Sequence, residues 1–314
     1  MTSSRYELVA ASDETADVKR LIFRCCSGLV PDWQAGAHVR VALPQGGSRA
    51  YSLMRLPELA SDAIALGVLR EKESTGGSIY MHGLGAGDQI EITGPENHFP
   101  LGPHDAPALL IAGGIGITPI LSMAAELARA NRPFEMHYAG RTDGALAYID
   151  ELRAICGERL HLHYDDQDSA LDIKALLAGA ADRAHAYICG PAGMIEAIRE
   201  EAEAQGWADE RIHFELFTAD QGDTQDTAFD VEIHSTGQIV HVPADKTIIE
   251  ALEDAGLDPL YDCQRGDCGI CQCDVIEGEP DHRDVILTDD EKASNTVMQI
   301  CVSRAKTPKL VIDI

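Results

Sequence analysis

Hydrophobic and polar positions follow three textures along the chain. Up to about residue 103, short apolar-alternating runs such as 38–43 and 64–69 are separated by glycine-rich turns, and long helical patterns are scarce. Alternation with period two marks half-buried strands, so this region is predicted to form a small antiparallel barrel. From about Ala106 the pattern becomes strand–helix alternation. Apolar strands are predicted at 108–112, 134–138, 160–164 and 186–189, with a last one at 211–217. Helices are predicted at 117–130, 145–156, 172–177 and 192–205. This is the pattern of a parallel sheet wrapped by helices. Pro119 sits just inside the first helix, where its missing N–H costs nothing, with Thr118 as the expected N-cap.

A polar stretch without periodicity, around 219–228, reads as a solvated linker. Beyond it, 229–234 and 239–242 predict a hairpin about Thr236 and Gly237. Thr247 with Glu250 forms a capping box that opens a helix to about Ala255, and Thr288 with Glu291 forms a second one. Strands at 298–303 and 310–314 close the chain. The expected domains are therefore 1–103, 104–218 and 229–314, joined across 219–228.

Composition narrows the possibilities. The chain has 314 residues, of which 45% are hydrophobic and 25% charged, the mix of a folded globular protein. A formal net charge of -27 argues against nucleic acid, whose phosphates would be repelled. No apolar run approaches the roughly 18 residues of a membrane span. The N-terminal residues lack the apolar core of a signal peptide, so a cytoplasmic location is expected.

Nine cysteines are present, an odd number that speaks against a disulfide framework. Four crowd between Cys263 and Cys273. Cys263, Cys268 and Cys271 are spaced x4 and x2, and Cys301 follows after 29 intervening residues. This is the plant-type spacing of a 2Fe-2S cluster. Gly266 and Gly269 would let the backbone curl around the inorganic sulfides. Structural zinc, the alternative, typically takes its ligands in two short-spaced couples, and no second couple exists here. Cys273 lies in an alternating run and reads as a strand residue. Cys25, Cys26 and Cys156 read as core or surface fillers. The twelve histidines show no metal spacing, and His161 and His163 read as structural alternation on a strand.

A ferredoxin-like segment after a barrel and a nucleotide domain resembles the phthalate dioxygenase reductase family over nearly the whole chain. The resemblance implies a multidomain protein: an antiparallel β-barrel flavin domain, an α/β parallel-sheet NAD domain and an α+β, β-grasp ferredoxin domain. Arg49, Ala50, Tyr51 and Ser52 are similar to the RxYS flavin motif. There the arginine offers a charged fork to phosphate, the tyrosine a flat face to the ring, and the serine a hydroxyl near N5. Ser74 to Ser78, with Gly76 and Gly77, reads as a glycine-rich turn into a short helix. In the family this turn holds the phosphate of FMN, which spacing alone does not distinguish from FAD.

Gly113, Gly114, Gly116 and Thr118 lie in a turn that looks like the GGxGxTP segment of ferredoxin-reductase-type domains, where glycines allow close approach of a pyrophosphate. The ordinary GxGxxG fingerprint is absent. Cys189, Gly190 and Pro191 form a second strand-to-helix turn. In similar enzymes its cysteine sits beside the reacting nicotinamide and flavin, so Cys189 joins Ser52 as a catalytic candidate. Arg141 and Asp143 fall where an adenosine ribose would lie. The acid suits a 2′-hydroxyl and the arginine a 2′-phosphate. The residues leave the choice open, and the resemblance implies NADH. Glu215 and Phe217, on the last strand of this region, could face the flavin; a core role for Phe217 is equally compatible.

The resemblance implies a reductase that draws electrons from NADH through FMN and a 2Fe-2S cluster and passes them to a separate Rieske-type terminal oxygenase. Reduction of a di-iron monooxygenase and non-catalytic electron carriage are the alternatives. No Rieske Cys/His motif occurs in the chain. From Phe229 onward 18 acidic residues face 7 basic ones, a balance compatible with docking a partner or with a solvated surface.

Overall fold

The computed structural model describes residues 3–44, 46–71, 76–217, 226–261, 263–266 and 268–314. Ser74 and most of the expected linker lie outside these residues. The chain divides into two compact units, Met1–Glu215 and Leu216–Ile314.

The first unit begins with β1 (Ser3–Asp13), β2 (Val18–Cys25), β3 (His38–Ala42), β4 (Ser48–Met54), β5 (Ala63–Leu69) and β6 (Gln89–Glu96). They close into a barrel in the order β1-β2-β5-β4-β3-β6. Closure comes from antiparallel pairing of β1 with β6, Tyr6 opposite Ile90. The alternating side chains explain the barrel: Leu8, Leu21, Phe23, Val41 and Leu66 are fully buried inside it. A short helix, α1 (Gly77–Gly83), follows β5 and inserts Met81 into the same core.

The rest of this unit alternates β7 (Ala108–Gly113), α2 (Ile117–Arg129), β8 (Phe134–Gly140), α3 (Ile149–Cys156), β9 (Leu160–Tyr164), α4 (Ile173–Gly179), β10 (His185–Cys189), α5 (Ala192–Ala204) and β11 (Ile212–Glu215). The five strands form a parallel sheet ordered β11-β10-β7-β8-β9. β7 is central and buried at every position, as its unbroken apolar run requires. The chain winds one way from β7 through β9 and the other way through β10 and β11. The switch therefore falls between β7 and β10, where open α/β sheets bind ligands at their carboxyl ends. Sheet and barrel are locked by Ser122 of α2, whose hydroxyl donates to the Leu53 carbonyl at 2.7 Å and accepts from the Arg55 N–H at 2.9 Å. Arg20 of β2 also pairs with Glu151 of α3.

The second unit contains β12 (Phe229–Ile233), β13 (Ile239–Val242), α6 (Ile248–Asp254), β14 (Gln272–Glu277), β15 (Pro280–Asp281), α7 (Asp289–Ser294), β16 (Val297–Gln299), β17 (Arg304–Ala305) and β18 (Lys309–Asp313). Its main sheet runs β13-β12-β18-β14-β16, with β12 and β18 parallel. α6 buries Ile248, Ile249 and Leu252 in the core that this sheet builds. Both capping boxes form, Thr247 with Glu250 and Thr288 with Glu291. Together the barrel, the parallel sheet and this β-grasp unit make up the three expected architectures. Among the described residues no helix is long and apolar enough to cross a membrane.

Three local expectations are corrected. Thr118 is not the N-cap of α2: a 3-10 turn at Gly114–Gly116 leads into the helix, and the Thr118 hydroxyl donates to the Ile115 carbonyl at 3.1 Å. α3 begins at Ile149 rather than 145, because Leu146, Ala147 and Tyr148 are drawn into the core and Tyr148 adopts φ 62. The strand expected at 298–303 ends at Gln299, and Cys301 occupies a turn. Ser303 N–H closes that turn on the Gln299 carbonyl at 3.1 Å.

Candidate functional site

The second unit gathers four sulfurs. The loop after α6 carries Cys263, Cys268 and Cys271, and the turn after β16 brings Cys301 to them, with Ile300 N–H donating to the Cys271 carbonyl at 3.3 Å. Cys263, Cys271 and Cys301 are buried and Cys268 is half-buried. The thiols lie in mutual hydrogen-bonding contact: Cys301 with Cys263 and Cys271, and Cys268 with Cys263. Those contacts, with Cys263 foremost, hold the Cys301 and Cys268 thiols well above the ordinary thiol range. Four converging sulfurs, three of them buried and one half-buried, are a donor set suited to cations. They fit a two-iron cluster, whose irons favour the thiolate form.

Backbone shape serves the same end. Gly266 has φ 78, and a Cβ there would fall 2.7 Å from Val302 Cγ2 and 3.0 Å from the Asp284 Cα. Gln264 and Gly269 are also left-handed, so the loop curls tightly. Arg265 N–H donates to Cys263 Sγ at 3.3 Å, the kind of contact that stabilises charge on a ligating sulfur. Buried Asp284 pins the adjoining loop by accepting from Leu287 N–H at 2.9 Å. Cys273 takes no part: it lies on β14 within the core, where burial raises its thiol.

In the first unit, β4 presents Arg49 exposed, Ala50 and Tyr51 half-buried and Ser52 buried. α1 lies against them. A Cβ on Gly77 would fall 2.7 Å from Arg49 Cγ and 3.5 Å from the Tyr51 hydroxyl. Two motifs 27 residues apart thus meet where only a bare backbone fits. Gly76 takes φ 113, which turns the chain into the helix. Ser78 accepts from Glu71 N–H at 3.1 Å. Burial pushes the Tyr51 phenol up to about 12, with Arg49 drawing it partly back, so the ring stays neutral. A guanidinium beside a neutral aromatic face and a glycine cradle fits a phosphorylated flavin.

At the sheet's switch point two turns pack backbone to backbone. A Cβ on Gly116 would fall 2.1 Å from the Cys189 carbonyl oxygen, and one on Gly190 would fall 3.0 Å from Gly113 N. A Cβ on Gly113 would fall 2.7 Å from Pro191 Cδ. These three glycines answer the packing of the turns. Gly114 differs: it has φ 53 and faces open space, where a phosphate could approach. Thr118 is buried, and its methyl group would lie 2.6 Å from a Cβ on Gly67 of β5. Arg141 and Asp143 stand exposed beyond β8, and the Asp143 carboxylate accepts from Gly144 N–H at 2.7 Å.

Cys189 is fully buried at the carboxyl end of β10. Directly beside it on β11 lies Glu215, also buried, a neighbour that only the strand register reveals. Phe217 follows two residues later, half-buried, in the second unit. His161 and His163 alternate on β9 as expected, and the fold adds histidine neighbours from other segments. His104, His185 and His213 form one group and His137, His161 and His163 another, each assembled across neighbouring strands or loops.

Two stretches match known families: residues 110–200 the oxidoreductase NAD-binding domain, and residues 231–306 the 2Fe-2S iron-sulfur cluster binding domain. The chain is 44% identical over 297 residues to a vanillate O-demethylase oxidoreductase of Pseudomonas sp. (strain HR199 / DSM 7063), covering 93% of each chain. It is 41% identical to a phenoxybenzoate dioxygenase subunit beta of Ectopseudomonas oleovorans, covering 91% of this chain and 89% of that one. Among solved structures, phthalate dioxygenase reductase matches with a TM-score of 0.79 and 34% identity, covering 99% of this chain and 98% of that one.

Proposed function

This chain belongs to the phthalate dioxygenase reductase family, and from that premise we propose how its residues divide the work of an oxygenase reductase. It is an oxidoreductase that takes electrons from NADH and delivers them to a separate oxygenase component. FMN supplies the exchange between a two-electron donor and a one-electron carrier, and the 2Fe-2S cluster supplies that carrier.

The chain's own residues bind and orient. Arg49 holds the flavin phosphate and Tyr51 lies against the ring system. Ser52 offers a hydroxyl at the ring's reacting edge. Gly76, Gly77 and Ser78 form the turn that lets the phosphate lie close to the backbone. Gly114 admits the dinucleotide pyrophosphate, and Gly113, Gly116, Gly190 and Pro191 shape the crevice. Asp143 receives the adenosine ribose as an acceptor for a 2′-hydroxyl, with Arg141 at its rim. Cys189 and Glu215 close the inner wall where the nicotinamide would lie. Cys263, Cys268, Cys271 and Cys301 ligate the cluster. No residue has to act as a general acid or base, since hydride and electron transfer need positioning and exclusion of water.

The observation that carries this reading is the meeting of Arg49 and Tyr51 with Gly77, in the same unit as the paired turns at Gly116 and Cys189. We place the partner in the Rieske non-haem iron class, acting on a small aromatic compound. The names borne by the vanillate and phenoxybenzoate relatives support an oxygenase partner acting on an aromatic compound. The purified protein should show a flavin and iron–sulfur spectrum that NADH bleaches, and it should release FMN on denaturation. A spectrum that NADH leaves unchanged would overturn the reductase reading. Turnover by a purified Rieske oxygenase that depends on this protein tests the partner class, and turnover only with a di-iron oxygenase would replace it.

A further inference from the structure

A group of side chains on the parallel sheet, outside every centre described so far, is arranged as a ligand set. Glu135 and His137 lie two residues apart on β8 and so share a face. His161 pairs directly with His137 across β8 and β9, and His163 follows on the same face. The rings of His137 and His161 stack with centroids 4.6 Å apart. One ligating atom each from Glu135, His137 and His161 all lie within 4.8 Å of one another.

The hydrogen bonds fix where the protons sit. Ser169 offers a carbonyl oxygen 3.1 Å from His163 Nδ1, and a carbonyl can only accept. His163 Nδ1 must therefore carry a proton, and in the neutral ring its Nε2 is a bare lone pair. That Nε2 lies 3.0 Å from His137 Nδ1, which must in turn be the donor. His137 Nε2 is left as a lone pair too. It is buried, without a hydrogen-bond partner, on a side chain only 10% exposed. Glu135 Oε2 stands 3.8 Å from it. In that neutral tautomer a buried lone pair and a carboxylate oxygen face each other, and a cation is what their approach accommodates.

We propose that Glu135, His137 and His161 bind one divalent transition-metal ion of the zinc class, with His163 and the Ser169 carbonyl as the relay that orients His137. Neutral imidazoles and a carboxylate are zinc's usual nitrogen and oxygen donors, and a donor chain behind a ligating histidine is its usual support. Bonds of about 2.0–2.2 Å set ligand atoms roughly 3.3 Å apart in a tetrahedron. His137 is held in place, while Glu135 and His161 are exposed and close in on the ion by rotation. The fourth position is left to solvent, and the ion would tie edge strand β9 to β8.

The test uses the holoprotein, with flavin and cluster in place, dialysed to equilibrium against micromolar zinc and assayed for zinc and iron together. About one zinc per chain is expected, with iron unchanged. Glu135→Gln and His161→Ala alter exposed side chains and should each weaken zinc binding at least about tenfold, and His163→Ala about 10–100-fold through loss of the relay. Nitrogen-15 shifts of the zinc-free protein should place the protons of His137 and His163 on Nδ1. Zinc uptake no greater than in an E135Q/H161A double variant, or a proton on His137 Nε2, overturns the proposal.

Discussion

Gly116 abuts Cys189 so closely that a single methyl group there would lie 2.1 Å from the Cys189 carbonyl oxygen. Backbone cannot yield as a flexible side chain can, so Gly116→Ala must part the two turns. The expected cost is about 1–3 kcal/mol of stability, with NADH affinity reduced at least tenfold if ~1.4 kcal/mol of it falls on the crevice. Gly114→Ala meets open space and should cost only about 1 kcal/mol, for its left-handed conformation. Thermal melts and NADH titrations of flavin bleaching compare the two. Equal effects would show that turn packing does not shape the crevice.

Arg49→Ala should loosen the flavin. A charge-assisted hydrogen bond is worth about 1.5–3 kcal/mol, which converts to roughly 10- to 150-fold in affinity. Gly77→Ala should do likewise by a different route, because its new methyl group displaces Arg49 Cγ from 2.7 Å. Flavin fluorescence released on dilution measures both, with cluster absorbance as the internal control. Full flavin retention in both variants would remove Arg49 from the phosphate role.

Cys268→Ser should abolish the visible absorption of the cluster while NADH still bleaches the flavin. Cys273→Ser, only five residues along, should leave the cluster spectrum intact. It should cost about 1–3 kcal/mol for placing a hydroxyl in the core around β14. Iron and sulfide content per chain checks the pair. A swap of the two outcomes would reassign the ligand set.

His213 gives a pH dependence of stability. Burial first, then His185 and His104, push it down to about 4 from an ordinary 6.5. The folded form therefore binds its proton less readily than the unfolded chain. Between about pH 6.5 and 4 the unfolded state holds more protons, so stability rises with pH across that window and is lost as pH falls. Melting temperatures should drop as pH is lowered from 7 towards 4, and His213→Asn should flatten that slope. A slope unchanged in the variant would locate the acid sensitivity elsewhere.

The barrel and the parallel sheet were legible because each rests on a local period, alternation for the barrel and an unbroken apolar run for β7. Two capping boxes marked the starts of α6 and α7, and the β-grasp unit followed from the resemblance alone. The cysteine spacing was legible because three of its members share one loop. What escaped the sequence depends on register or on a distant partner. Tyr148 leaves the helical pattern because its ring is drawn into the core. Cys301 leaves the strand pattern because the chain must turn to reach the other sulfurs. The pairing of Cys189 with Glu215 and of His137 with His161 exists only once parallel strands are aligned, and no spacing within one segment encodes that.

Where β1 meets β6 the barrel closes, and the facing margins of both strands are paired there. A stray extended peptide, or another copy of the chain, finds no row of vacant amides there to extend. In the first unit, recruitment of a foreign strand falls to β9 and β11, which bound the parallel sheet and are only five and four residues long. Brevity and the histidines on both make them poor templates, so this unit should resist fibril growth even when its flavin is lost.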